Sequence, residues 1–282
     1  MAIALIYPLG YMIFGSFRDW NPSQSISESD FVGFKNYITL FFDPAFRESL
    51  SVTLRFAFFV VSAEMIIGVG LALFLDKELK GMSILRTLFI LPMMIAPVVV
   101  GLIWRYMYHP TVGTFNNVLE SIGLSGVDWL GRQALLSVVV ADVWQWTPFI
   151  FILSLAALQS LPKSAIEAAR IDGATGWQQI VHIKLPLMMP VLIVTGLLRL
   201  IDAFKVLEVI LVMTEGGPGL STEIVALRIS RTATEFRELG TAAAMSNYLL
   251  IVLLLLTLAM FAFSRWREAR TAKLAQQIYN EE

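Results

Sequence analysis

Residues 167–190, EAARIDGATGWQQIVHIKLPLMMP, decide how this chain is read. The stretch is polar and helix-forming at its start, yet apolar sequence long enough to cross a bilayer flanks it on both sides. Packed helices are usually joined by a few residues, so a long, structured polar connection suggests a surface made to engage something soluble. Ser164, with Glu167 three residues later, matches a capping box and predicts a helix start. That helix is expected to run through Arg170 and Ile171 and halt near Gly173, where glycine permits a sharp bend. A second short helix is expected over 175–183, stopped by Pro186. Ala165, Ala168 and Ala169 keep the first helix slim enough for another backbone to approach closely.

Outward from this loop the chain is built for lipid. Of its 282 residues 57% are hydrophobic and only 15% charged, and the mean hydropathy is +0.71, which makes the bilayer the expected solvent. Six segments are expected to span ~30 Å of hydrocarbon at 1.5 Å per residue: about 1–17, 51–75, 87–107, 135–158, 186–213 and 245–264. The first is marginal in length, and charges interrupt the fifth. Residues 1–17 look superficially like a secretory signal but lack a basic start and a small-x-small cleavage site, so a first membrane helix is the expectation. Gly68, Gly70, Pro92, Pro97, Pro148, Pro186 and Pro190 fall in or beside spans and predict bent helices in a packed bundle. The expectation is one all-α integral membrane domain over 1–282, with no internal repeat and no low-complexity tract.

Composition also excludes classes of chemistry. A net charge of −1 gives no reason to expect nucleic acid. The absence of cysteine removes disulfides, zinc-thiolate sites and thiol catalysis. His109 and His182 are the only histidines and cannot build a metal cluster alone. No catalytic residue, cofactor site or metal site is expected in this chain.

The density of Lys and Arg near span ends sets the orientation. Lys77, Lys80 and Arg86, then Lys163, Arg170 and Lys184, then Arg265, Arg267, Arg270 and Lys273 define the cytoplasmic side. The opposite side carries Arg18, Lys35, Arg47, Arg132, Arg228, Arg231 and Arg237, spread over longer connections. Both termini are then cytoplasmic, as is the loop 159–185. Among the outer connections, 18–50 contains an aromatic-rich interfacial stretch, 108–134 has short-helix potential, and 214–244 opens on the breaker cluster TEGGPGLST before an amphipathic helix.

The order Glu-Ala-Ala, Asp-Gly-Ala, Ile-x-Leu-Pro within 167–186 closely resembles the EAA loop of ABC-importer permeases. The departure is Ile180, where that family more often carries an aromatic. The likeness continues through VVVADVWQWTPFIFILSLAALQSLP (138–162), VMTEGGPGLSTEIVALRISRTATEFRELGTAAAMS (212–246) and FVGFKNYITLF (31–41), which resemble carbohydrate-importer permeases of the ABC class. The resemblance implies a six-helix type I importer core in the bacterial cytoplasmic (inner) membrane. Its cytoplasmic coupling helix would be gripped by an ATPase dimer that carries ATP and magnesium. It further implies a different second permease subunit in a heterodimer, an extracytoplasmic substrate-binding protein docked on the outer connections, and a sugar or polyol as cargo. By the same resemblance Glu167, Ala168, Ala169, Asp172, Gly173, Ala174, Leu185 and Pro186 form the ATPase-coupling surface. Glu167 would meet a basic group, Ala168, Ala169 and Gly173 would let the helix seat, and Asp172 would stabilise the bend or the start of the second helix. The glycines at 216, 217 and 219 lack the spacing and lysine of a phosphate loop and read as a turn; with no Walker motif, ATP hydrolysis belongs to a partner.

Ionisable groups inside spans are functional candidates. Asp142, Gln145, Trp146 and Phe149 recur at helical spacing on one face, where aromatic planes with hydrogen-bonding groups suit a sugar and line the pathway, or else Asp142 is a buried hydrogen-bonding group between helices. Arg199 and Asp202, at i and i+3 near Lys205 and Glu208, line the pathway or else form a structural ion pair. Arg55 and Glu64 in the second span are unassigned, with Arg55 expected to snorkel; Trp104 and Tyr106 suit interfacial anchoring. Glycerol phosphate esters are an alternative cargo. An ion-coupled secondary transporter is an alternative class that often shows internal repeats, and a membrane enzyme would need a nucleophile and base that the sequence does not supply.

Overall fold

The computed structural model describes residues 2–76 and 82–281, side chains excepted in parts of 2–5, 82–85 and 263–281. Lys77 and Lys80, used above for orientation, lie outside the described residues. In chain order the helices are α1 (Ala2–Ser16), α2 (Lys35–Phe42), α3 (Pro44–Leu75), α4 (Met82–Ile90), α5 (Pro97–Met107), α6 (Thr114–Ser121), α7 (Ala134–Gln159), α8 (Lys163–Ile171), α9 (Gly176–Gln179), α10 (Leu185–Lys205), α11 (Glu208–Met213), α12 (Val225–Thr234) and α13 (Leu239–Glu281). The strands among the described residues form one ladder of β1 (Arg18–Asp19) with β2 (Asp30–Phe31), antiparallel with Arg18 opposite Phe31.

Pro44–Leu75, Ala134–Gln159, Gly176–Lys205 and Leu239–Ala262 are long and apolar enough to cross a bilayer, and Arg86–Met94 with Pro97–Met107 makes a fifth if counted as one broken span. Helix α1 has 15 residues, about 22 Å at 1.5 Å per residue. The expected bounds shift for physical reasons. Helix α3 starts at Pro44, ahead of 51, because proline suits the first helical position and the Asp43 carboxylate accepts the Ala45 N–H at 2.9 Å. The expected span 87–107 is two helices. A 3₁₀ turn over Leu91–Met94 follows α4, and Pro97 forces Ala96 into an extended conformation (φ −59°, ψ 136°). The expected span 186–213 ends at Lys205: Leu207 leaves helical geometry (φ −133°) and α11 begins anew at Glu208. Pro148 sits inside α7 without ending it.

The chain divides into two compact units, Met1–Val60 with Ile95–Asp142 and Asp202–Leu253, and Val61–Met94 with Val143–Ile201 and Leu254–Glu282. In the first, Leu40, Phe46, Val225, Ala244 and Met245 form a buried cluster. Helix α11 lies so close on α5 that a Cβ on Gly101 would stand 2.9 Å from Val212 Cβ, and Arg105 Nη1 donates to the Val212 carbonyl at 2.8 Å. Trp104 is buried among Tyr108 and Phe115, whereas Tyr106 is exposed, so only Tyr106 keeps the geometry of an interfacial anchor. Burial pushes the Tyr108 phenol up to about 12. In the second unit Ala72, Leu75, Phe151, Leu155, Leu158, Met188 and Leu192 pack α3, α7 and α10 into one core.

Candidate coupling surface and transport pathway

The loop between α7 and α10 is two short helices joined by a glycine turn. Helix α8 ends in a paired reverse-turn lock: the Gly173 N–H donates to the Arg170 carbonyl at 3.1 Å and the Ala174 N–H to the Ala169 carbonyl at 2.9 Å. This closure requires the left-handed conformation of Gly173 (φ +79°), which only glycine adopts readily. No atom of this chain lies within 4 Å of an added Gly173 Cβ, so within the chain it is the backbone conformation that calls for glycine.

The expected cap moves. Helix α8 begins at Lys163 behind Pro162, with no side-chain cap, which places Ser164 inside the first turn. The capping box belongs instead to Thr175 and Gln178 at the start of α9. The Gln178 Oε1 accepts the Thr175 N–H at 2.8 Å, and the Thr175 Oγ1 accepts the Gln178 N–H at 3.4 Å. Asp172 is the exposed last residue before the turn, and the start of the second helix is held by Thr175. Pro186 does not stop that helix. A π-helical turn over Ile180–Lys184 precedes it, opening the backbone where the proline ring would otherwise press on the carbonyl four residues back, and Gly176–Lys205 runs on as one rod.

Exposure divides the segment. Ala169 and Gln179 are buried and Ala174, Leu185 and Lys184 are partly so; the Gln179 side chain donates to the Ala174 carbonyl at 2.9 Å, and Lys184 pairs with Asp76 at 3.1 Å. Glu167, Ala168, Asp172, Gly173 and Pro186 face outward. So do two large apolar side chains that the sequence reading did not single out, Ile171 at 86% exposure and Trp177 at 73%. The slim face expected of Ala168 and Ala169 is therefore split, with Ala168 out and Ala169 in.

Along α7, Asp142 and Gln145 are fully buried while Trp146 and Phe149 are half-buried. Arg199 and Asp202 do not act together, because each holds a different partner. The Arg199 guanidinium donates Nε to Glu64 Oε2 at 2.7 Å and Nη2 to Glu64 Oε1 at 3.0 Å, with both side chains buried. Its Cζ lies 5.4 Å from the centre of the Trp146 ring. Asp202 pairs with Lys205 at 3.2 Å on an exposed surface. Arg55 pairs with Glu48 at 2.7 Å, half-exposed.

On the stretch 214–244, Glu223 is buried and gathers its neighbours. It accepts from Arg228 at 2.8 Å, Arg231 at 3.0 Å and the Ser49 hydroxyl at 3.3 Å, and Arg228 also reaches Asp43 at 3.0 Å. Beside this clamp a cavity of about 360 Å³ is lined by residues of 18–43 and 228–245, among them Arg18, Trp20, Lys35, Asp43, Arg228 and Phe236.

Residues 64–273 match the family described as binding-protein-dependent transport system inner membrane component. The chain belongs to that family. It is 38% identical over 244 residues to the trehalose/maltose transport system permease protein MalF of Thermococcus litoralis, covering 86% of this chain and 82% of that one. It is 34% identical over 270 residues to the sn-glycerol-3-phosphate transport system permease protein UgpA of Yersinia enterocolitica, covering 93% and 89%. Among solved structures, a chain of a bacterial alginate ABC transporter, in complex with alginate pentasaccharide-bound periplasmic protein, superposes with a TM-score of 0.76 at 26% identity, covering 83% of each chain. This permease is thus a transport subunit of an ABC importer of the type I fold, an inner membrane component and not an enzyme.

Proposed function

We propose that this permease moves a sugar or related polyol across the bacterial cytoplasmic membrane, with both termini in the cytoplasm. Segments α8 and α9 are the coupling surface: a cytoplasmic ATPase dimer, which holds ATP and magnesium, seats against Glu167, Ala168, Ile171 and Trp177. The observation that carries this reading is the build of the segment. Its outward residues are free to be covered, its inward residues are anchored, and its second half continues without a break into the membrane rod Gly176–Lys205. A push on α9 is therefore delivered to α10.

Cargo is received from an outer binding protein, for which the cavity beside Arg228 and the connections 18–50, 108–134 and 214–244 are the docking face. A second, different permease completes the pathway. Trp146 and Phe149 face the cargo, their half-buried rings stacking on sugar C–H faces, while Gln145 is buried on the same helix. Names among the relatives support both neutral sugars and glycerol phosphate. The engagement of Arg199 by Glu64 favours the neutral class, since a phosphate would have to compete with a carboxylate already bound by two hydrogen bonds.

The test is purification from native membranes followed by uptake in proteoliposomes. An ATPase is expected to accompany the chain, and uptake is expected to require ATP. Uptake driven by an ion gradient alone, or labelling of Glu167 from the external side, overturns the reading.

A further inference from the structure

We infer that Glu64 and Arg199 are positioning residues for Trp146. They fix the indole that the proposed pathway presents to cargo, in register with the rod that leaves the coupling segment. The inference rests on the pathway and coupling reading above.

Glu64 stands on α3, Trp146 on α7 and Arg199 on α10, so this constellation joins three helices of one compact unit. The guanidinium is planar, and donating two parallel hydrogen bonds from one edge to a carboxylate aligns its plane with that carboxylate. With Nε and Nη2 both engaged by Glu64, the plane of Arg199 is set by α3. Its cationic carbon lies 5.4 Å from the centre of the Trp146 ring, within the range where a desolvated cation holds an aromatic face. The indole on α7 is thereby placed by a carboxylate on α3 through a cation on α10.

Stability alone does not account for such a group. A buried ion pair is weak support for a fold, and well-packed apolar residues of similar volume often replace one without loss. What apolar residues cannot supply is direction. The same helices also meet through an apolar core at Phe151, Leu155, Met188 and Leu192, a cluster that does not include Trp146. Trp146 is half-buried, and the buried Arg199 guanidinium lies over its ring.

The test uses the assembled importer grown with 5-fluorotryptophan, the Trp146 resonance being assigned by its loss in Trp146→Phe. Two variants are compared with the wild type: Arg199→Lys, which keeps the charge and loses the fork, and the double variant Glu64→Leu with Arg199→Met, which removes the carboxylate and the guanidinium together. In both, the Trp146 line is expected to shift and at least to double its width, with the ATPase still co-purifying. A Trp146 line unchanged in position and width in whichever of the two assembles overturns the inference.

Uptake of radiolabelled trehalose and maltose separates this inference from the reading beneath it. Trp146→Ala and both charge variants are each expected to lower uptake about tenfold. If Trp146→Ala transports like the wild type, the pathway assignment fails and the positioning role falls with it. If Trp146→Ala loses uptake while the charge variants keep it, the positioning role alone fails.

Discussion

A Cβ placed on Gly68 would stand 2.7 Å from the Cβ of Ile150 and 3.1 Å from the backbone nitrogen of Phe151. Helix α3 therefore meets α7 at a distance that only a hydrogen side chain allows, and the obstructing atoms belong to a branched stem and a backbone that cannot swing away. Gly68→Ala is expected to destabilise the permease by about 1–3 kcal/mol, the range of overpacked cores. Gly196→Ala is the control. Its new methyl would meet nothing nearer than Met65 Sδ at 3.7 Å, so the better helix propensity of alanine should leave stability unchanged or raise it by up to about 1 kcal/mol. Thermal unfolding in detergent reads both, and equal shifts for the two would contradict the geometry.

The two capping-box patterns in the coupling loop separate cleanly by mutation. Thr175→Ala removes an acceptor that is in use and should cost about 1 kcal/mol of local stability, seen as faster amide exchange across Gly176–Gln179. Ser164→Ala removes an exposed hydroxyl within α8 and should stay within about 0.5 kcal/mol.

Gly173→Ala forces a side chain into a left-handed conformation at roughly 1–2 kcal/mol and loosens the turn between α8 and α9. Glu167→Lys, on an exposed side of α8, should leave the unfolding temperature unchanged while lowering ATP-driven uptake by about tenfold or more, equivalent to about 1.4 kcal/mol of lost coupling. The pair of measurements distinguishes a distorted joint from an intact joint with the wrong charge. Normal uptake in Glu167→Lys would remove the residue from the coupling surface.

Glu223→Gln leaves Arg228 and Arg231 without their shared carboxylate. Removing one partner from a largely buried ionic cluster typically costs about 3–5 kcal/mol, and Arg228 keeps Asp43 as a second partner, so about 3 kcal/mol is expected. The loss should register as a lower unfolding temperature together with protease sensitivity in 214–244.

Local chemistry made part of this fold legible before any coordinates. Gly173 announced its turn because glycine alone adopts φ +79° without steric cost, and the apolar runs at 51–75 and 135–158 correspond to α3 and α7 because lipid demands continuous helices. Competing local signals were harder to rank. Ser164 and Glu167 match the capping pattern as well as Thr175 and Gln178 do, and Pro162 settles the matter by starting the helix two residues too early for Ser164 to cap it. Pro97 was visible as a bend, but a proline that kinks a helix and one that ends it look alike in a sequence, and only the extended Ala96 before it distinguishes them here. Least legible was the partner of Arg199. Asp202 stood at helical spacing beside it, while Glu64 lies 135 residues away in the chain, and nothing in a sequence orders such distant candidates.

The π-helical turn over Ile180–Lys184 has a bearing on how such a protein can diverge. It is equivalent to one residue inserted into a regular helix, and one residue is worth about 100° of azimuth. Shortening the turn by a single codon would swing the side of α9 that carries Trp177 by that angle about the axis of the rod, leaving the membrane half of α10 undisturbed. A change of one residue in length can thus re-aim the exposed Trp177 side of α9 while the apolar half of the rod keeps its phase.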